Sequence, residues 1–278
     1  MVRIITDTTA GLPRELTKQL GIPIIPQNVI FGERSYRDDT ELDTMTFLKM
    51  LKESKQLPKT AAPSPELYKP YFQQAVDKGE AVIVVAPSEK VSATYNSVMI
   101  ASEGFPKADI RVIDTLTVAG NLGTLALLAH QMAQEGKTAD EIETRIRDLL
   151  PRGRTFFLID TLEYLQKGGR IGGARALMGE LLQVKPILQI KDGQVAPFEQ
   201  ERTKKRALGK LVELVCDQAG RSPEPHLCVM QVEAEEDAQA LVNTLSSNLN
   251  IPKIPIYELP PAIVVHAGPK TLAVGFFA

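Results

Sequence analysis

Hydroxyl, amide and carboxyl side chains gather where segments of this 278-residue chain with a β-strand pattern end. Asp7 follows the first such segment, and the run SATYNS at residues 92–97 follows an apolar one. Asp114 and His266 each end a further predicted strand. In open α/β sheets, ligands bind beyond the carboxyl ends of the strands, and free amides at a helix start favour an anion. The pattern therefore predicts a binding site for a polar or anionic group.

Several of these residues also have a structural interpretation. Asp7 and Ser64 are residue types that commonly cap helices, and residues 92–97 could be a polar first turn facing water. Thr60 has no evident structural task, which leaves its hydroxyl for a ligand. His266 precedes a Gly-Pro turn, and the near-neutral pKa of an ordinary imidazole permits proton exchange at cellular pH.

Two further segments carry unusual polar patterns. At residues 163–173, two glycine pairs flank Arg170. Glycine permits backbone angles closed to other residues and lets another group approach closely. At residues 202–206, the run RTKKR opens an amphipathic helix with positive charge, which the helix dipole disfavours. This mild cost suggests that the run docks an acidic partner, although a solvated charged face explains it equally well.

Composition and missing motifs exclude several classes of protein. The formal net charge is −2, aromatic residues make up 5% and Trp is absent, so nucleic-acid binding is not expected. Cys216 and Cys228 form no CxxC pair and the three His add no metal spacing, so we expect reduced thiols, no metal and a cytoplasmic location. No apolar run approaches the ~18 residues of a membrane span. Phosphate-loop, dinucleotide-binding and GxSxG patterns are absent as well.

The elements that must position these residues fall into two halves. In the first, strand patterns at residues 3–6, 22–25, 81–85 and 110–113 alternate with helices, such as those beginning near Ser64 and Thr138. This rhythm predicts a three-layer α/β/α domain with a parallel sheet, which we place at residues 1–153.

The second half, residues 154–278, is predicted to be an α+β domain with a mostly antiparallel sheet. An Asp-Gly hairpin signal at residues 191–194 follows a strand pattern at 186–190, and helical patterns cover 174–183 and the stretch around Leu208. Further strands are predicted at residues 227–232, 254–257, 262–265 and 272–276.

Taken together, the motifs resemble those of the DegV family, which includes the fatty-acid-binding subunits of bacterial fatty acid kinase. The similarity extends over nearly the whole chain. The motifs that carry it are DTTAGLP (7–13), Thr60 with PS (63–64), SATYNS (92–97), IDT (113–115), YLQKGGRIG (164–172), KPIL (185–188) and HAGP (266–269).

The resemblance implies a lipid chain buried in a tunnel of the second domain, with its carboxyl group at the domain interface. Thr60 and Ser92 would hydrogen-bond the fatty acid carboxyl group. His266 would lie near it, and Arg170 would line the cleft. The other residues expected near the head group or cleft are Asp7, Thr94 and Asn96. Apolar side chains expected in the tunnel wall are Leu177, Met178, Leu181, Leu182, Ile187 and Leu188.

The resemblance also implies a partner. A separate ATP-binding kinase subunit would dock at Arg202 and phosphorylate the bound fatty acid to an acyl phosphate for phospholipid synthesis. The chain itself would be a non-catalytic carrier with no cofactor other than its lipid ligand.

Four positions depart from the pattern of the family. Ala61 and Ala62 replace a common Ser-Gln pair, and Ala93 and Lys270 replace glycine. Two other functions also agree with the residue types. One is a serine hydrolase or acyltransferase that uses Ser92, His266 and Asp114. The other is a flavin or nucleotide module, which the βαβ rhythm alone would suggest.

Overall fold

The computed structural model describes residues 1–177 and 184–278, which form helices and strands in two main sheets. The first half contains β1 (Val2–Asp7), α1 (Arg14–Leu20), β2 (Ile24–Ile25), β3 (Asn28–Phe31), β4 (Arg34–Arg37), α2 (Thr44–Glu53), β5 (Lys59–Ala61), α3 (Lys69–Lys78), β6 (Ala81–Ala86), α4 (Thr94–Ser102), β7 (Ile110–Asp114), α5 (Gly120–Gln134) and α6 (Ala139–Leu149). The second half contains β8 (Gly153–Leu158), α7 (Glu163–Lys167), β9 (Lys185–Lys191), β10 (Gln194–Glu201), α8 (Lys204–Ala219), β11 (Cys228–Val232), α9 (Glu235–Leu249), β12 (Ile256–Glu258), α10 (Pro261–Ala267) and β13 (Thr271–Phe277).

The first sheet is parallel, with four strands in the order β2-β1-β6-β7. Because side chains alternate along a strand, β6 sends Ile83 and Val85 to one face and Val82 and Val84 to the other. Helices α5 and α6 cover the first face, and α3 and α4 cover the second. The prediction of a three-layer α/β/α arrangement is confirmed.

The second sheet has six strands in the order β10-β9-β8-β13-β11-β12, and every pair except β11 with β12 is antiparallel. Helices α8 and α9 pack on one face, against Phe156 and Val274. The predicted hairpin is present between β9 and β10, where Asp192 and Gly193 have φ angles of 49° and 82°. The predicted mostly antiparallel second sheet is therefore confirmed.

The other face of the six-stranded sheet is covered from both halves of the chain. Phe47 of α2 and Val29 of β3 share one buried cluster with Phe157 of β8 and Val264 of α10. A third sheet, antiparallel and ordered β4-β3-β5, sits beside this cluster. The division into domains at residues 1–153 and 154–278 stays a prediction, and the packing shows that the first half supplies part of the core of the second sheet.

One predicted strand is wrong. Residues 262–265 form part of helix α10, not a strand. A short run of β-branched residues is ambiguous between a buried helix and a buried strand. Pro261 favours the helix over the strand, because its fixed φ suits the first turn of a helix and its missing N–H costs nothing there. His266 consequently lies in the last turn of a helix and does not follow a strand.

The helix predicted at residues 174–183 is seen only in part. A 3₁₀ segment covers Gly172–Leu177. The expected tunnel residues Met178, Leu181 and Leu182 lie outside the described residues. Leu177, Ile187 and Leu188 are described and are buried, but none of them lines the cavity between α10 and the six-stranded sheet, and Ile187 packs on the opposite face of the sheet, against α8 and α9. Within residues 1–177 and 184–278, no helix is both long enough and apolar enough to cross a bilayer.

Candidate functional site

A narrow cavity lies between helix α10 and the six-stranded sheet. Its volume is about 110 Å³, measured for the centres of water-sized spheres. On that measure a single water needs roughly 10–15 Å³, so the void is much larger than a packing defect. Apolar side chains that form its wall include Phe157, Leu165, Ile190, Val195, Ile263 and Ala273. A void lined in this way suits a thin hydrocarbon chain.

Polar side chains line the same cavity: Thr9, Gln27, Thr60, Ser92, Thr155, Arg170, His266 and Thr271. Different parts of the fold supply them. Thr60 comes from β5 at the edge of the small sheet, Ser92 from the loop between β6 and α4, and His266 from α10. The structure thus brings together the hydroxyl pair, the histidine and the arginine that the resemblance assigned to one site.

His266 is held as a neutral imidazole. Its Nε2 lies 2.9 Å from the Thr60 hydroxyl, and its buried Nδ1 has no hydrogen-bond partner among the described residues. Burial, and then the positive charge of Arg170, lower the pKa of His266 to about 4. At neutral pH the ring is therefore uncharged, so it can hydrogen-bond a ligand but adds no positive charge.

Arg170 supplies the positive charge of the site. Its guanidinium donates to the backbone carbonyls of Val91 at 3.1 Å and Gly168 at 2.7 Å. In the described part of the chain, no carboxylate forms an ion pair with it. Because both anchors are neutral, its charge remains available to an anionic group in the cavity.

Ser92 connects the cavity to a buried polar network. Its hydroxyl lies 2.9 Å from that of Thr94, and Thr94 lies 3.0 Å from the Asp7 carboxylate. The Gln27 amide donates to Asp7 at 2.6 Å and to Thr94 at 2.7 Å. Thr9 also donates to Asp7, through its backbone N–H and its hydroxyl. Full burial raises the pKa of Asp7, although these hydrogen bonds oppose the shift.

Gln27 and Asp38 were not among the residues expected here. Asp38 accepts from the Thr8 hydroxyl and from the backbone N–H of Gln27, both at 2.8 Å. Burial raises the pKa of Asp38 to about 7, and the charge of Asp7 adds to the shift. Both residues lie in connecting segments with no motif, so local sequence gave no signal for them.

Three of the residues that the sequence analysis named do not line the cavity. Asn96 is exposed on α4 and does not line the cavity. Arg202 is exposed just before α8. Asp114 accepts from the backbone N–H of Leu116 at 3.0 Å. Since no carboxylate of the described residues bonds the free ring nitrogen of His266, Ser92, His266 and Asp114 do not form the Ser-His-Asp arrangement that a hydrolase requires.

Two of the four positions that differ from the pattern of the family, Ala93 and Lys270, can be assessed from their backbone angles. Ala93 has φ −81° and ψ 6°, which any residue adopts without strain. Lys270 has φ 57°, in the left-handed region that favours glycine, so its side chain is accommodated at some cost. Neither change moves the hydroxyls of Thr60 and Ser92 out of the cavity.

The fold and site define a two-sheet α/β protein with an apolar cavity capped by hydroxyls, a neutral histidine and an arginine. The chain belongs to the DegV family: the family model described as "Uncharacterised protein, DegV family" matches residues 1–278.

Known relatives agree with this assignment over their full length. A DegV domain-containing protein of Streptomyces coelicolor is 33% identical over 275 residues, which cover 98% of this chain and 97% of the relative. A structure described as fatty acid binding of a DegV family protein from Thermus thermophilus superposes with a TM-score of 0.94 at 28% identity, covering 100% and 99% of the two chains. The structure of a stearic-acid-binding protein from Eubacterium ventriosum superposes with a TM-score of 0.90 at 25% identity. The match covers 100% of this chain and 98% of that chain.

Proposed function

We propose that this protein binds a long-chain fatty acid, with the acyl chain in the cavity beneath α10 and the carboxyl group at Thr60 and Ser92. The observation that carries the proposal is the lining of the cavity, which is mostly apolar and includes the hydroxyls of Thr60 and Ser92 together with His266 and Arg170. Two solved structures with similar folds are described as fatty acid binders. No cofactor other than this lipid is part of the proposal.

The two ends of the ligand contribute unequally. Burying about fifteen methylenes at ~0.8 kcal/mol each gives a gross gain of roughly 12 kcal/mol, of which association and chain ordering cancel a large share. A neutral hydrogen bond to a hydroxyl adds only ~0.5–1.5 kcal/mol net. The tail therefore dominates the affinity, and the hydroxyls determine where the carboxyl group lies.

We further propose that the protein presents this carboxyl group to a separate ATP-binding kinase subunit, which phosphorylates it to an acyl phosphate for phospholipid synthesis. Thr60 and Ser92 are only half-buried, which favours access from outside. Arg202 is exposed and so is free to dock an acidic surface of such a partner. In this proposal the chain is a non-catalytic carrier in the cytoplasm, where ATP is available.

Co-purifying lipid tests the binding step. Native mass spectrometry of the freshly purified chain, followed by lipid extraction, should detect one fatty acid per chain. Ala273, which is 5% exposed and lines the cavity, provides the matched variant. Because a leucine there would occupy the path of the tail, Ala273→Leu should lower fatty acid occupancy severalfold. The delipidated variant should keep the melting temperature of the delipidated wild type. Wild-type protein that neither carries nor takes up fatty acid would contradict the proposal.

Ser92→Ala tests the presentation step. Since the tail dominates affinity, the variant should bind fatty acid within about tenfold of wild type, corresponding to ~1.4 kcal/mol. Phosphorylation by the kinase should fall by a larger factor, because the carboxyl group is no longer held in place. Dissociation constants and acyl phosphate formation are the measurements. Ser102→Ala, at the far end of the helix that follows Ser92, removes a hydroxyl that donates to the carbonyl of Met99 and should change neither. Equal and complete loss of both activities in Ser92→Ala would contradict this division.

A further inference from the structure

The hydroxyl of Thr94 makes three close polar contacts. They are the Gln27 amide nitrogen at 2.7 Å, the Asp7 Oδ2 at 3.0 Å and the Ser92 Oγ at 2.9 Å. A hydroxyl has one hydrogen and two lone pairs. The amide nitrogen of Gln27 has two hydrogens and also bonds Asp7, at 2.6 Å, so one of its hydrogens fills one lone pair of Thr94. One hydrogen and one lone pair therefore remain on Thr94 for Asp7 and Ser92.

The protonation state of Asp7 determines how the remaining hydrogen and lone pair of the Thr94 hydroxyl are used. When Asp7 is ionised, Thr94 must donate to it and can only accept from Ser92. The Ser92 hydrogen is then turned inward, and its oxygen can offer the cavity only a lone pair. When Asp7 Oδ2 carries a proton, it donates to Thr94 and Thr94 donates to Ser92. The Ser92 hydrogen is then free to point into the cavity.

We propose that Asp7 is a positioning residue for the head group, which holds a proton whenever a fatty acid anion is bound so that Ser92 can donate to the carboxylate through the chain Asp7–Thr94–Ser92. The inference rests on the proposed function. Its proton balance is simple: one proton leaves solvent and is bound at Asp7 Oδ2 for each fatty acid anion that enters. No other bond forms or breaks.

The charges around the site favour a proton on Asp7 over a proton on the carboxyl group of the ligand. Asp7 is completely buried, which disfavours its charged form, and Asp38 and the phenol of Tyr68 are the titratable groups that interact with it electrostatically. Negative charges on Asp7 and Asp38 disfavour each other, and the buried Tyr68 hydroxyl stays neutral because its pKa is well above the usual value. Arg170, by contrast, lines the cavity and stabilises the ligand in its anionic form.

Proton uptake on binding provides the test. The delipidated chain is titrated calorimetrically with laurate at about pH 8.5 in phosphate and in Tris, because buffers with different heats of protonation reveal proton transfer. Wild type should take up about one proton per laurate bound. Thr94→Val removes the connecting hydroxyl and frees the Ser92 hydrogen, so it should bind laurate with uptake near zero. Thr94→Ser keeps the hydroxyl and should retain the uptake.

Two further measurements locate the proton. The ¹³C resonance of carboxyl-labelled laurate bound to wild type should have the shift of an anion, and Asp7→Asn, whose amide cannot take up the proton, should bind laurate with uptake near zero. Each of three results would overturn the inference: binding without proton uptake in wild type, undiminished uptake in Thr94→Val, or a bound ligand in its neutral acid form. Undiminished uptake in Asp7→Asn would do so as well, since the proton would then reside on another group. Failure of wild type to bind laurate at all would instead contradict the proposed function.

Discussion

His266 shows how far a single residue can be interpreted before its surroundings are known. The residue type and its Gly-Pro neighbour predict a site residue, and the structure places it against Thr60 in the cavity. Its charge state was not predictable, because the pKa of about 4 arises from burial and from Arg170, 96 positions away in the sequence. For the same reason Gln27 and Asp38 were not predicted as site residues, because their roles depend on partners in other segments.

The depressed pKa of His266 predicts a dependence of stability on pH. Between about pH 6.5 and pH 4 the unfolded chain binds a proton at this residue that the folded chain does not. The stabilisation from the neutral ring is therefore complete above about pH 6.5 and is lost as the pH falls towards 4. The full shift corresponds to roughly 3 kcal/mol. Urea unfolding of the delipidated protein at several pH values measures it.

His266→Gln is the comparison for this measurement. The variant retains a polar group near Thr60 but does not titrate in this range. All other titratable groups, including Asp38, are common to both proteins, so the difference between the two pH profiles isolates His266. We expect the variant to lose less stability than wild type on acidification, by up to roughly 3 kcal/mol. Parallel profiles would show that the ring is not buried as described.

At the scale of elements, helix α10 matters most for the site. It was predicted as a strand because its apolar run fits a buried strand as well as a buried helix. As a helix it covers the cavity with Ala262 and Ile263 and directs His266 towards β5. Most strands of both main sheets and the hairpin were predicted because their periodicity and turn residues are local signals, but the central strand β8 was not.

The segment after α7 holds α10 at close range. A Cβ added at Gly168 would lie 2.3 Å from the Nδ1 of His266 and 2.9 Å from the carbonyl of Tyr164. Gly168→Ala should therefore push the imidazole away from Thr60 and destabilise the protein by about 1–3 kcal/mol. Chemical unfolding measures the loss, and fatty acid binding should weaken in parallel.

Gly209→Ala is the matched control for this glycine. Gly209 lies in the exposed face of α8, and an added Cβ there meets nothing within 4 Å. Replacing it should stabilise the protein by about 0.5–1 kcal/mol, because alanine loses less backbone entropy in a helix. If both substitutions changed stability in the same direction, the close approach at Gly168 would not be the cause.

At the scale of the whole molecule, the sequence indicated both sheets and the family but not the cavity. Apolar stripes such as those of β8 and β9 look the same whether they line a void or fill a core. The void exists because Val29, Phe47 and α10 cover one face of the six-stranded sheet without filling the space above Ala273. That packing depends on contacts between distant segments, which a single sequence does not display.

The polar side of the cavity is assembled from pieces that are remote along the polypeptide. Thr60 belongs to the small sheet, Ser92 to the loop that follows β6 of the parallel sheet, and His266 to helix α10 on the six-stranded sheet. Neither half expressed alone would contain all the groups that we propose to bind the carboxyl group. If the proposal holds, a bound fatty acid is a sign that both halves of the chain have folded together.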